Sequence, residues 1–257
     1  MIESILRFTG IYHLYTKLLK RQIFQNEMPK HIGLILDGNR RWSYKKRIKI
    51  NESHREGGIN AERLVKWCVE LNVNTLTLYV LSLENFKRSQ FEINEILHLL
   101  EKYVNKAYSD DEIMKEEIMI KFIGDINSLP KKLVTKIKSL EEKTINNENL
   151  CINIAIGYGG KQEIIDATKK IIKDVTNKKI NINDVNENLF EKYLYTSHLK
   201  YPDIDLVIRT SGEKRLSGFL IWQSAYSEIL FLDVYWPEFR KIDLMRAIRI
   251  YQKRLRR

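Results

Sequence analysis

The chain has 257 residues, 44% hydrophobic and 30% charged, enough to bury a full core and unlike a disordered or fibrous chain. Only 11 Gly and 4 Pro speak against a loop-rich β-sandwich; two distant cysteines, Cys68 and Cys151, speak against a disulfide framework or zinc cluster and for a reducing compartment. A net charge of +11, from 44 Lys and Arg against 33 Asp and Glu, favours polyanionic partners without choosing among nucleic acid, anionic lipid and phosphate esters.

From the N-terminus, Ile5, Phe8, Tyr12, Tyr15 and Leu19 recur at helical spacing beside Lys17, Lys20 and Arg21. This predicts an amphipathic helix within residues 1–28, packed on the main domain or lying on a membrane surface. The segment lacks the layout of a signal peptide, and no apolar run reaches the length of a bilayer span, so a cytoplasmic protein is expected.

Residues 29–257 then alternate short apolar runs with longer amphipathic ones. The runs His31–Leu36, Thr75–Leu81, Met119–Ile123, Cys151–Ile156, Asp205–Ile208 and Ile229–Val234 are apolar on both alternating positions, the pattern of strands buried on both faces. Helical patterns lie at Gly57–Leu71, Glu92–Glu117, Pro130–Thr144, Lys161–Val175, Glu187–Tyr195 and Ile242–Arg254. The rhythm predicts an α/β fold, a mostly parallel sheet with helices on its faces. Eight Lys and Arg crowd Glu238–Arg257, and they read as a solvated helix face rather than a nucleic-acid patch.

In such sheets ligands bind beyond the carboxyl ends of the strands. After the first run stands Asp37-Gly38-Asn39-Arg40-Arg41-Trp42, read as a tight turn into a helix N-terminus that faces an anion. Asp37 suits Mg²⁺ bridging to a diphosphate. After the second run, Ser82-Leu83-Glu84-Asn85-Phe86-Lys87-Arg88 offers a hydroxyl, an amide, a ring and a guanidinium, or a plain loop with a helix cap at Ser89. After the fifth, Arg209-Thr210-Ser211-Gly212-Glu213-Lys214-Arg215-Leu216-Ser217 concentrates oxyanion donors. Gly157-Tyr158-Gly159-Gly160-Lys161 lacks the spacing of a P-loop and reads as a strand-to-helix turn. Cys68 and Cys151 read as core. Candidate carboxylates at Asp37 and Glu228 complete a pattern suited to diphosphate chemistry.

Together these motifs resemble the cis-prenyltransferases, the undecaprenyl and dehydrodolichyl diphosphate synthase family. His31–Trp42 is similar to the first family signature, Leu78–Arg88 to the second and Asn153–Gly160 to a third. Asp205–Ser217 and Phe219–Glu228 are similar to the last two. Five motifs in order are far more specific than any one. The resemblance implies a six-stranded parallel core, an apolar tunnel, a homodimer, and repeated condensation of isopentenyl diphosphate onto an allylic diphosphate with Mg²⁺. It makes Asp37 the acid that positions the metal and the diphosphates. Gly38, Asn39, Arg40, Arg41 and Trp42 become the allylic site, with His54 nearby. Arg209, Arg215, Leu216 and Ser217 become the isopentenyl diphosphate site, and Glu228 completes the Mg²⁺ site across the dimer. Ser82, Leu83, Glu84, Phe86 and Arg88 form a loop over the reacting carbons, where Asn85 helps remove the proton.

The chain departs from the bacterial pattern. Arg40 stands where many members have a small residue, and Phe86 where many have Trp. Ile50 replaces an Arg that binds the allylic diphosphate, leaving Lys49 or Arg47 to take its place. An Arg-x-Gly tail found in some members is missing after Arg257. Trans-prenyltransferases use paired Asp-Asp-x-x-Asp clusters on helices, but Asp110-Asp111 meets Met114 where the third Asp belongs. Two alternatives compete with the enzyme: a silent subunit of a synthase, disfavoured by the joint presence of Asp37, Asn85, Arg209, Arg215 and Glu228, and a nucleic-acid-binding protein, disfavoured by the want of interleaved aromatic and basic residues.

Overall fold

The computed structural model describes residues 11–255, with side chains from Leu14 onward. The elements in order are α1 (Ile11–Phe24), β1 (His31–Ile35), α2 (Asn39–Lys46), α3 (Ile50–Glu70), β2 (Thr75–Ser82), α4 (Gln90–Ser109), α5 (Asp111–Lys115), β3 (Ile118–Ile123), α6 (Lys131–Thr144), β4 (Leu150–Tyr158), α7 (Gly160–Thr176), α8 (Glu187–Glu191), β5 (Leu206–Arg209), β6 (Glu228–Phe231) and α9 (Lys241–Arg254). The strands form one sheet in the order β3-β4-β2-β1-β5-β6, and every neighbouring pair is parallel. The expected α/β architecture with a six-stranded parallel sheet is therefore present. Because β2, β1 and β5 are adjacent, the loops that follow them converge at one end of the sheet. That adjacency joins three segments far apart in sequence.

Both faces of the sheet are buried. On one face Leu34, Leu76, Leu78, Ile152 and Ile208 pack with α3, α6 and α9; on the other, Ile35, Tyr79, Ala155, Tyr158 and Val207 pack with Phe219 and Leu220. Gly33 lies on the second face, where a β-carbon would come within 2.8 Å of the Phe219 ring.

The helix bounds differ from the sequence pattern in three places. α3 begins at Ile50 rather than Gly57, since Ser53 is buried in the first turn and donates to the Ile50 carbonyl at 2.7 Å, hiding a polar turn that looked like loop. The expected helix over Glu92–Glu117 divides at Asp110, whose side chain accepts from the Glu112 N–H at 3.0 Å and caps α5. Glu187–Tyr195 is helical only to Glu191, and beyond it Tyr193 and Tyr195 are held by Asp174 and Asp166 of α7.

In α1, Leu19 and Ile23 are buried in the core, so the packing reading of the N-terminal helix holds. Gln252 of α9 also donates to the Ile23 carbonyl at 2.8 Å. Ile5, Phe8 and the Tyr12 side chain lie outside the described residues. Among the described residues no helix is long and apolar enough to cross a membrane.

Candidate active site

Past β1 the chain turns at Gly38, whose φ of 110° is open to glycine and strained for other residues. There is also no room for a β-carbon, which would meet the Tyr235 ring at 2.8 Å. The turn launches α2 at Asn39, as the sequence pattern predicts, and leaves Asp37 at the strand end with Arg40 and Arg41 in the first helical turn.

The Asp37 carboxylate accepts from Arg209 Nη2 at 2.7 Å, and the Arg41 guanidinium lies 3.9 Å away. Arg209 is buried, and its Nη1 donates to Ser217 Oγ at 2.8 Å and to the Arg215 carbonyl. One guanidinium thus ties the end of β1 to the Arg215–Ser217 loop. Thr210 adds a second tie, accepting from the Asp37 N–H at 2.9 Å. Glu213 lies between Arg41, at 3.1 Å, and Arg215, which it also contacts. The site is thus cationic but not bare: its guanidiniums are pre-oriented by carboxylates.

After β2, a 3-10 turn over Leu83–Lys87 is closed by reciprocal bonds between Ser82 and Asn85, at 3.1 and 3.2 Å. The cap uses Asn85 Oδ1, and Asn85 also borders the cavity described below. Ser89 then caps α4, accepting from the Glu92 N–H at 3.3 Å. Glu92 is buried, bonds Arg88 at 2.9 Å and stands 3.5 Å from His54 Nε2. Burial pulls the His54 pKa below its ordinary value, against the opposing pull of Glu92.

These groups open into one cavity of about 1310 Å³. Its polar end is lined by Asp37, Gly38, Asn39, Arg40, Arg41, His54, Ser82, Glu84, Asn85, Arg88, Arg209, Arg215 and Ser217. Its long wall is aliphatic, with Leu78, Val80, Ile118, Ile120, Ile152 and Ile154 from the sheet and Val65, Val69, Ile96 and Leu100 from α3 and α4. An apolar tunnel does run along α4, as expected.

Several predicted site residues are not on this wall. Trp42 turns from it, with Lys46 above its ring at 5.9 Å. Phe86 packs on the core, and Leu216 packs on the opposite face of the sheet beside Phe219. Leu83 is half-buried and also off the wall. Neither Arg47 nor Lys49 lines the cavity. Glu228 is the first residue of β6, paired in register with Leu206 at the amino ends of the strands, and it bonds Arg254 at 2.5 Å. Asp37 lies at the carboxyl ends, so a single chain does not bring the two carboxylates together. Among the described residues no three His, Cys, Asp or Glu form a metal-binding group.

Sequence reasoning gave no role to Tyr235, which seats Gly38 and lies 5.8 Å from the Arg41 guanidinium. It also passed over Glu163. This carboxylate is fully buried on the far face and accepts from Tyr158, from Gln223 at 3.1 Å and from the Tyr195 N–H at 2.8 Å. Burial raises its pKa. A lone Glu in the first turn of a helix looks like an ordinary dipole partner, and nothing in the pattern marked it.

A parallel α/β sheet with an oxyanion cradle at one end of an aliphatic tunnel defines an enzyme that transfers long apolar groups from diphosphates. The family described as "Putative undecaprenyl diphosphate synthase" matches residues 35–257, and the chain belongs to it. A tritrans,polycis-undecaprenyl-diphosphate synthase (geranylgeranyl-diphosphate specific) of Methanocaldococcus jannaschii is 44% identical over 97% of this chain and 89% of its own length. An isoprenyl transferase of Thermus thermophilus is 41% identical over 100% of this chain and 99% of its own. Among solved structures, lavandulyl diphosphate synthase from Lavandula x intermedia, in complex with dimethylallyl diphosphate, matches with a TM-score of 0.84. It is 30% identical over 88% of this chain and 95% of its own. The protein is a cis-prenyltransferase that makes a polyprenyl diphosphate, rather than a silent subunit or a nucleic-acid-binding protein.

Proposed function

We propose that the polar end of the cavity holds two diphosphates and that the aliphatic tunnel holds the growing chain. The observation that carries this is the continuity of a single cavity from Asp37, Arg41, Arg215 and Ser217 to the wall of Leu78, Val80, Ile152 and Ile154. Gly38, Asn39, Arg40 and Arg41, at the start of α2, take the allylic diphosphate. Arg209, Arg215 and Ser217 take isopentenyl diphosphate, with Arg209 also fixing Asp37. The allylic C–O bond breaks as diphosphate leaves, a C–C bond forms to the alkene, and the added unit loses a proton to the released diphosphate. Asn85 and His54 line the same cavity, where the Asn85 amide, as a donor, would orient the diphosphate that takes the proton. Holding both head groups in one rigid cradle converts the encounter into an oriented reaction.

Asp37 fits Mg²⁺, which is usually bound through one or two carboxylates plus substrate phosphates. When bound, the ion neutralises charge on the departing diphosphate. Glu228 joins such a site only from a second copy of the chain. The apolar groups at Ile221 and the fully exposed Tyr226, close to β6, support a homodimer that delivers it. The archaeal relatives named for geranylgeranyl diphosphate support that primer here.

Contact with a membrane is supported by a second face of α1, where Leu14 and Leu18 are 61% and 51% exposed beside Lys17 and Arg21. Leu14→Ser with Leu18→Ser should lower co-sedimentation with anionic vesicles at unchanged thermal stability. Unchanged sedimentation removes this reading.

The main test incubates the protein with labelled isopentenyl diphosphate, Mg²⁺ and geranylgeranyl diphosphate. Wild type should extend the primer, and Asp37→Ala should lose about 10²–10³-fold in turnover, the usual cost of one preorganised electrostatic group. Normal turnover of the variant refutes the site.

A further inference from the structure

The chain after β6 reaches back to the Asp37 end of the cavity through a 3-10 turn over Trp236–Glu238. Trp236 is fully buried there and is bonded on three sides. Its backbone N–H donates to the Asp37 carbonyl at 3.1 Å, and its indole Nε1 donates to the Gly57 carbonyl of α3 at 2.8 Å. Its own carbonyl accepts from Asn60 Nδ2, one turn further along α3, at 2.8 Å. The same amide donates to the Phe239 carbonyl at 3.0 Å, so Asn60 grips both ends of the turn. Asn60 is 2% exposed and does not border the cavity. At Gly57 a β-carbon would come within 2.6 Å of Asn39 Oδ1 and 3.0 Å of the indole ring. The first turn of α2, the indole and α3 therefore meet at one point beside Asp37.

We propose that Asn60 is a positioning residue for the allylic diphosphate, acting through Trp236 on Asp37 and on the Asn39–Arg41 turn. The proposal rests on the allylic reading of that turn. Apolar packing already holds these elements together: Trp236 stacks on Phe239 at 5.6 Å, and Phe239 lies 6.4 Å from Trp67 of α3. Such packing is non-directional, so it sets that the elements touch and leaves their slide free. Hydrogen bonds are directional, and the Asn60 amide sets the register of α3, with His54 and Gly57, against the end of β1. The isopentenyl diphosphate loop has supports of its own. Ser217 is held by Arg209 at 2.8 Å, and the Gly218 carbonyl accepts from the Gly160 N–H at 2.8 Å. Neither bond passes through Asn60, so losing the amide should loosen one substrate and spare the other.

The test uses Asn60→Leu, which keeps the volume and removes both donors, and Asn60→Ser, which keeps one donor. Binding of geranylgeranyl thiodiphosphate, an analogue that resists ionisation, is measured by calorimetry without isopentenyl diphosphate, and KM for isopentenyl diphosphate is measured separately. Asn60→Leu should bind the analogue about tenfold more weakly, because small misplacements in an oriented site are costly. Asn60→Ser should lie between it and wild type, and KM for isopentenyl diphosphate should change less than about twofold in both. If Asn60→Leu does not fold, Asn60→Ser decides alone, with binding at least about threefold weaker expected. Equal losses for both substrates mean general loosening and overturn the proposal. Arg41→Ala is measured alongside. If it weakens analogue binding while the folded Asn60 variants bind as wild type does, the proposal falls and the allylic reading stands. If Arg41→Ala also binds normally, that reading fails and the proposal with it.

Discussion

The two faces of the sheet are equally apolar and serve opposite ends. One face is hollow: Leu78, Val80, Ile152 and Ile154 border the cavity, and the helices above stand off from them. The other is filled: Tyr79 stacks on Phe219 at 5.0 Å and meets Tyr158 edge-on at 5.8 Å, with Tyr158 bonded to the buried Glu163. The sheet side of the hollow face, with Leu78, Val80, Ile118, Ile120, Phe122, Ile152 and Ile154, is apolar, so a hydrocarbon can slide along it. The filled face is aromatic and hydrogen-bonded, and it seats the loop that carries the diphosphate donors. Tyr79 donates from that face to the Ser217 carbonyl at 3.3 Å. One face supplies volume and the other supplies position.

The sharpest way to break this contrast is to empty the filled face. Phe219→Ala removes a fully buried ring against Tyr79, and it should cost about 3–5 kcal/mol in denaturant unfolding. A cost below about 1 kcal/mol would show that this face is loosely packed too.

Acidification probes the same face. His31 Nε2 lies 2.8 Å from Thr77 Oγ1, Asn153 Nδ2 donates to the same hydroxyl at 3.2 Å, and Asn153 Oδ1 lies 2.8 Å from His198. Burial pulls both histidines from 6.5 down to about 4. The unfolded chain takes up these protons first, so stability is full above pH 6.5 and falls as pH drops toward 4. The loss should be on the order of a few kcal/mol, and His31→Gln should flatten the profile between those values. A profile unchanged by His31→Gln would remove His31 from the account.

A smaller effect is expected at the loop the filled face seats. Arg215→Ala should raise KM for isopentenyl diphosphate by about tenfold to a hundredfold, the usual loss of one charge-assisted bond, with KM for the primer nearly unchanged. Equal shifts in both would contradict the two-site division.

Much of this was legible in the sequence because parallel strands announce themselves. Runs apolar on both positions mark strands covered on both faces, and Asp37, Asn85 and Arg209 follow such runs at the ends where ligands bind. The order of the sheet, which makes β2, β1 and β5 neighbours, is not written in any one segment. Nor is the direction of Trp42, Phe86 and Leu216, since an apolar side chain in a site motif serves the core as readily as the ligand. The hollow and filled faces read alike because Leu78 and Tyr79 are both apolar positions of one strand. Only the standoff of α3 and α4 separates them.

That separation is also the most direct point of attack. Ile154 lies on the cavity wall in the middle of the hollow face. Ile154→Trp should fold with nearly wild-type stability, because the added volume enters empty space rather than a packed core. Sizing its products by reversed-phase chromatography should show chains shorter than those of wild type, with the first condensation preserved. Products of wild-type length from a folded, active Ile154→Trp protein would show that the growing chain lies elsewhere.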